Sequence, residues 1–142
     1  MDKILLRSDQ DRIAILTLNS PKNLNALSEA MLEALKLNLE EIGESKKIKS
    51  VIIKASGRAF CPGHDLKEMQ GKRALENDGG KAYFEKLLSK CTYVMKLIRE
   101  LPQPVIAEVQ GVAAAAGCQL VATCDIAVAT NTTWKKKSDN PE

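Results

Sequence analysis

Two repeat periods alternate along this chain, and their alternation leaves few folds open to it. Residues 12–18, Arg-Ile-Ala-Ile-Leu-Thr-Leu, are dominated by β-formers and run into the turn cluster Asn19-Ser20-Pro21-Lys22-Asn23. This predicts a strand, paired with Ile4 to Arg7. From Ser28 the period lengthens: Met31, Leu32, Leu35, Leu39 and Ile42 recur at helical spacing, with Ser28 or Asn25 to cap the start and Gly43 to end it. Val51 to Ala55 is short and nearly all apolar, the pattern of a strand buried on both faces. Ser56 to about Gly80 reads as a long polar loop. A second helix is predicted over Lys81–Glu100 with a stripe of Phe84, Leu87, Leu88, Cys91, Met95 and Ile98, stopped by Leu101-Pro102-Gln103-Pro104. A strand at Val105–Val109, a short helix from Gly117 to about Thr123 and a strand at Asp125–Ala129 follow. Strands and helices alternating at these lengths predict an α/β fold of βαβ units with a largely parallel sheet.

The 142 residues suit one domain, and 44% hydrophobic against 27% charged content excludes disorder throughout the chain. A net charge of only +3 with 4% aromatic residues argues against a nucleic-acid partner. The N-terminal apolar stretch is too short for a signal peptide, and the small-residue run Gly111 to Cys118 is far below the ~20 residues of a membrane span. Cys61, Cys91, Cys118 and Cys124 sit in apolar or Ala-rich surroundings, as expected of buried, reduced thiols. From Thr130 the periodicity stops, so residues 1–129 read as the domain and 130–142, with the triplet Lys135-Lys136-Lys137, as a disordered tail.

Two segments resist a purely structural account. Ala59-Phe60-Cys61-Pro62-Gly63-His64-Asp65-Leu66-Lys67-Glu68-Met69 packs Gly, His and Asp into one loop. Val109 to Leu120 carries only tiny side chains from Ala113 to Gly117 and then starts a helix. Tiny side chains admit a ligand to the backbone, and a helix start leaves N–H groups unpaired, so one donor from each segment can meet one developing negative charge. Simpler readings stand beside this one. The alanine run also suits close packing, and Asp65 also suits a cap on a helical turn at Leu66–Gln70. Cys61-x-x-His64 with two scattered thiols is a weak zinc pattern, so no metal is expected. Gly111 to Gly117 lacks the G-x-G-x-x-G of a dinucleotide site.

The order and spacing of Asn25-Ala26-Leu27, Phe60 to Met69, Pro104-Val105-Ile106-Ala107, Gly111, Ala116-Gly117-Cys118 and Cys124-Asp125-Ile126-Ala127 resemble the enoyl-CoA hydratase/isomerase, or crotonase, superfamily. The resemblance runs from about residue 4 to Ala129. It implies a crotonase-like spiral of ββα repeats, incomplete here, with residues 1–129 as the N-terminal part of the family's domain. It implies an acyl-CoA thioester as ligand, no separate cofactor, and assembly into trimers or hexamers. It implies that the backbone N–H groups of His64 and Ala116 form an oxyanion hole, and that Ala26, Pro62, Gly63, Asp65 and Leu66 contact CoA. By the same resemblance the compartment is the mitochondrial matrix, or the cytoplasm if no presequence precedes Met1.

One departure bears on activity. The family's hydratases carry a catalytic Glu after the Gly-Cys pair, where this chain has Gln119. An amide cannot shuttle a proton, so a general-base contribution of ~10²–10⁴ in rate is missing, although Gln119 can still orient a water. The second catalytic Glu of the family falls near Asp139, in a context that does not match. The expectation is therefore an acyl-CoA-binding protein of fatty-acid metabolism with an oxyanion hole and little or no hydratase activity. The alternative is a non-catalytic chain that acts by associating with longer homologues.

Overall fold

The computed structural model describes residues 3–75 and 77–131. The tail expected from Thr130 therefore lies, from residue 132 and including Lys135–Lys137 and Asp139, outside the described residues. Strands β1 (Leu5–Gln10) and β2 (Ile13–Leu18) form an antiparallel hairpin. Its turn, Asp11-Arg12, has φ of 48° and 67°, the two positive values that a two-residue type I′ turn needs.

Helix α1 (Glu29–Glu44) follows, and Ser28 caps it: its side chain accepts the Met31 N–H at 3.2 Å. Asn25, the other candidate cap, does something else, described below. Gly43 lies within the last turn rather than ending the helix. The carbonyls at that end are met instead by the buried Gln103 amide, which donates to Ile42 O at 2.7 Å.

Two ββ units build the rest. Strand β3 (Ser50–Ala55) is followed by β4 (Ala59–Cys61), and β5 (Val105–Val109) by β6 (Val112–Ala113). The first strand of each unit joins a five-stranded sheet ordered β1-β2-β3-β5-β7, with β7 at Ile126–Ala129, parallel from β2 onward. The second strands pair with each other in a small parallel sheet. Helices α3 (Lys81–Glu100) and α4 (Ala116–Thr123) lead out of the two units, and β7 (Ile126–Ala129) closes the described chain.

The core lies between the helices and one face of the large sheet. Leu16, Leu18, Val51, Ile53, Val105 and Ala107 meet Leu32, Leu35, Leu39, Leu87 and Ile98 there, with Phe60 fully buried. Burying a side chain of this size stabilises by roughly 1.5–3 kcal/mol, so α1 and α3 are held by the hydrophobic effect.

Several expectations change. The loop Ser56–Gly80 holds β4, three residues long and too short to show a period, and a ten-residue helix α2 (Leu66–Leu75) that lacks an apolar stripe. Strand β3 buries one face only, alternating Val51, Ile53 and Ala55 inward with Ile52 half-exposed. In α3, Tyr83 and Val94 are buried, while Leu88 is exposed and Phe84 half-buried, because the stripe sits slightly around the helix from its sequence reading. Cys61 and Cys91 are buried, but Cys124 is half-buried and Cys118 exposed, since α4 turns its Cys118 and Gln119 side away from the core. β7 is exposed along its whole length. No helix among the described residues is long and apolar enough to cross a membrane.

Candidate functional site

The two segments singled out above meet across the small sheet. Ala59 pairs with Val112 and Cys61 with Ala113, an irregularity falling between them at Phe60, and Ala114 N–H donates to Cys61 O at 3.0 Å. The strand then runs straight into α4. Gly117 permits this crossing: a Cβ there would stand 2.0 Å from Cys61 O, so no other residue fits without moving backbone. Ala115, just before the helix, has φ 50° and ψ −125°, a conformation that costs a non-glycine residue on the order of 1–3 kcal/mol. Such strain persists only where the surroundings impose it, and here it sets the direction of the next N–H, that of Ala116.

On the other side, Gly63 adopts φ +115° and sits against the alanine run, a Cβ on it lying 3.1 Å from Ala115 Cβ and 3.4 Å from Ala116 N. The peptide carrying the His64 N–H follows directly from this close contact. Leu27 N–H donates to Gly63 O at 2.7 Å, which anchors this turn to the chain entering α1. Among the described residues neither the His64 N–H nor the Ala116 N–H has a protein acceptor. Two unpaired backbone donors on adjacent segments are what binding a single oxygen requires.

A cavity of about 480 Å³ opens beside them. Of the residues expected at the site, Ala26, Pro62, His64, Asp65 and Leu66 line it, together with Ala115 from the other segment. Gly63 lies beneath, buried. Ala116 is half-buried at the start of α4, and Gln119, three residues on and so on the same side of the helix, is exposed and outside the cavity wall. The Gln119 backbone is engaged, its N–H with Ala115 O at 3.1 Å and its carbonyl with the Thr123 hydroxyl at 2.7 Å. Its side-chain amide has no partner among the described residues.

The Asp65 carboxylate is committed to structure, as the capping reading has it. Oδ1 accepts the Lys67 and Glu68 N–H groups at 3.0 and 3.1 Å, and Oδ2 accepts Asn23 Nδ2 at 2.7 Å. The His64 Nδ1 is buried without a hydrogen-bond partner. Burial pushes the Cys61 thiol up to about 11, so it serves as a small apolar group rather than a nucleophile.

Some of the residues that shape the site escaped the sequence reading. Asn25 is fully buried, accepting Ser20 N–H at 2.8 Å and donating to Ser56 O and Ala59 O at 2.8 and 2.9 Å. It ties the Ala26 turn to the loop before β4. Lys22 and Lys67 stand at the cavity wall. Asn25 stood in the sequence as a candidate cap, Lys22 in the turn cluster and Lys67 in the Phe60–Met69 segment, but nothing in their spacing announced these places.

Fold and site together define a class: an α/β fold whose two ββ units meet beside a ligand-sized cavity. A profile of the enoyl-CoA hydratase/isomerase family matches residues 8–135, and the chain belongs to that family. It is 46% identical over 122 residues to the mitochondrial enoyl-CoA hydratase domain-containing protein 3 of Rattus norvegicus, covering 86% of this chain and 39% of that one. Against the protein of the same name in Homo sapiens it is 47% identical over 121 residues, covering 85% of this chain and 38% of that one.

Among solved structures, an enoyl-CoA hydratase of Mycobacterium smegmatis superposes with a TM-score of 0.83 at 50% identity, covering 90% of this chain and 48% of that one. Human enoyl-CoA hydratase domain-containing protein 3 superposes with a TM-score of 0.80 at 44% identity, covering 89% and 47%. The chain thus spans less than half the length of these relatives, and the crotonase fold appears in it in part.

Proposed function

We propose that this chain binds an acyl-CoA thioester, its carbonyl oxygen taken by the backbone N–H groups of His64 and Ala116, and that it has little or no hydratase activity. The observation that carries this reading is the close approach of Gly63 to the strained Ala115 and to Ala116 N, with no protein acceptor for the His64 or Ala116 N–H among the described residues. A thioester enolate concentrates charge on one oxygen, and one donor of this kind is worth ~2.7–4 kcal/mol in a transition state. Ala26, Pro62, Gly63, Asp65 and Leu66 would form the CoA contact, with Lys22 and Lys67 offering positive charge to its phosphates. Gln119 would orient a water without exchanging a proton with it. Residues 1–129 would then be the N-terminal part of the family domain. The relatives are named mitochondrial, which supports the mitochondrion as compartment; the matrix, and fatty-acid metabolism as context, belong to the proposal.

Calorimetry with crotonyl-CoA, alongside absorbance at the conjugated thioester band, tests the proposal. Binding without loss of the conjugated band is expected. Absence of binding overturns the ligand, and turnover comparable to a family hydratase overturns the inactivity.

The exposure of all of β7 favours a second reading, in which the chain acts by associating with longer homologues. Co-expression with such a homologue and size-exclusion chromatography would show a mixed assembly if this holds, and separate peaks if it does not.

A further inference from the structure

Helix α2 borders the cavity, yet the core does not hold it. None of its residues is buried: Leu66 is 70% and Leu75 82% exposed, and Met69 reaches the core only in part. What fixes it is polar and converges on Glu68. Glu68 Oε1 accepts the N–H of Glu29, the first residue of α1, at 2.9 Å, and the Tyr83 hydroxyl of α3 at 2.8 Å. One carboxylate oxygen therefore joins three helices.

The chemistry suits the place. The first turn of α1 has N–H groups without intrahelical acceptors and the positive end of the helix dipole, so an anion is matched there. Tyr83 is buried to 9% exposure, and burial, with Glu68 beside it, raises its hydroxyl far above the ordinary tyrosine range, so it remains a donor. Lys72, one helical turn beyond Glu68, places its Nζ 5.7 Å from the Tyr83 ring centre. His64, Asp65, Leu66, Lys67 and Met69, all within four residues of Glu68, form one wall of the cavity.

We propose that Glu68 is a positioning residue of this site: by tying α2 to α1 and α3 it holds the wall from His64 to Met69, and with it the His64 N–H, in place. The inference rests on the acyl-CoA reading for its ligand, but not for its mechanical part.

The test uses the full chain with Glu68→Ala, Glu68→Gln and Tyr83→Phe, reading amide hydrogen exchange without ligand, crotonyl-CoA affinity and the thermal midpoint. For Glu68→Ala, exchange in α2 should accelerate about ten- to hundred-fold and crotonyl-CoA affinity fall about ten-fold, while α1 and α3 keep their protection. Glu68→Gln keeps an acceptor at both bonds and should recover most of both, with Tyr83→Phe intermediate. Unchanged exchange in α2, uniform loosening of the whole chain, or loosened α2 with unchanged affinity would each overturn the proposal. If the wild-type chain fails to bind crotonyl-CoA, the ligand reading falls, and the exchange arm alone decides whether Glu68 holds α2.

Discussion

Helix α2 lines the cavity and α1 begins three residues after Ala26 on its wall, and the two helices are held by different physics. α1 buries Met31, Leu32, Leu35, Leu39 and Ile42 and is capped by Ser28. No residue of α2 is fully buried, only Met69 reaching the core in part, and the helix depends on Asp65, Glu68 and their partners. α1 and the β4–β6 crossing belong to the cooperative core. The α2 side is attached by a handful of hydrogen bonds, each worth on the order of 1.5–3 kcal/mol where a charge takes part. A site built this way has a fixed wall carrying Ala115 and a wall with far less free energy behind it.

The sharpest way to break the contrast is at two glycines. Gly117→Ala puts a methyl into Cys61 backbone, 2.0 Å from O and 2.7 Å from C, and should cost more than about 4 kcal/mol, seen as loss of cooperative urea unfolding. Gly71→Ala in α2 meets nothing within 4 Å and should stabilise by up to about 1 kcal/mol, since alanine favours a helix.

Next come two leucines. Leu35→Ala in α1, at 0% exposure, should cost about 2–5 kcal/mol in unfolding free energy. Leu75→Ala in α2 should stay within about 0.5 kcal/mol. If the leucines behaved alike, α1 and α2 would not differ as described; if the glycines did, the β4–β6 crossing at α4 would be no more rigid than α2.

The smallest effect concerns thiols. Burial pushes Cys61 up to about 11 and Cys124 up to about 12, from an ordinary value of 9.0. The folded chain therefore holds these protons more tightly than the unfolded chain does. The resulting stability is present below pH 9 and is lost as pH rises from about 9 through 11 to 12. Urea midpoints should fall between pH 8.5 and 10.5 and do so reversibly. At pH 8 a disulfide reagent should label Cys118 first, because it is exposed.

How legible each part was in the sequence follows from the same contrast. α1 and α3 were readable because core-held helices must display a stripe, and α3 was expected over its full extent, Lys81–Glu100. α2 has no stripe to read, and its signal, Asp65 before Leu66, promised only a turn. β4 was hidden by its three-residue length. The two donor segments were visible through their glycines and tiny side chains, which close backbone approach requires. Asn25 to Ser56 and Ala59, Asn23 to Asp65, and Glu68 to Glu29 and Tyr83 span from 15 to 42 residues, and no local pattern announces such pairs.

The most direct measurement is ¹⁵N–¹H spectroscopy of the chain titrated with crotonyl-CoA and, separately, with free CoA, which has no acyl carbonyl. The expected result is that the His64 and Ala116 amide protons move downfield together with crotonyl-CoA and not with CoA. Both amides unmoved by crotonyl-CoA at saturation, or moved equally by free CoA, would contradict a thioester oxygen held between them.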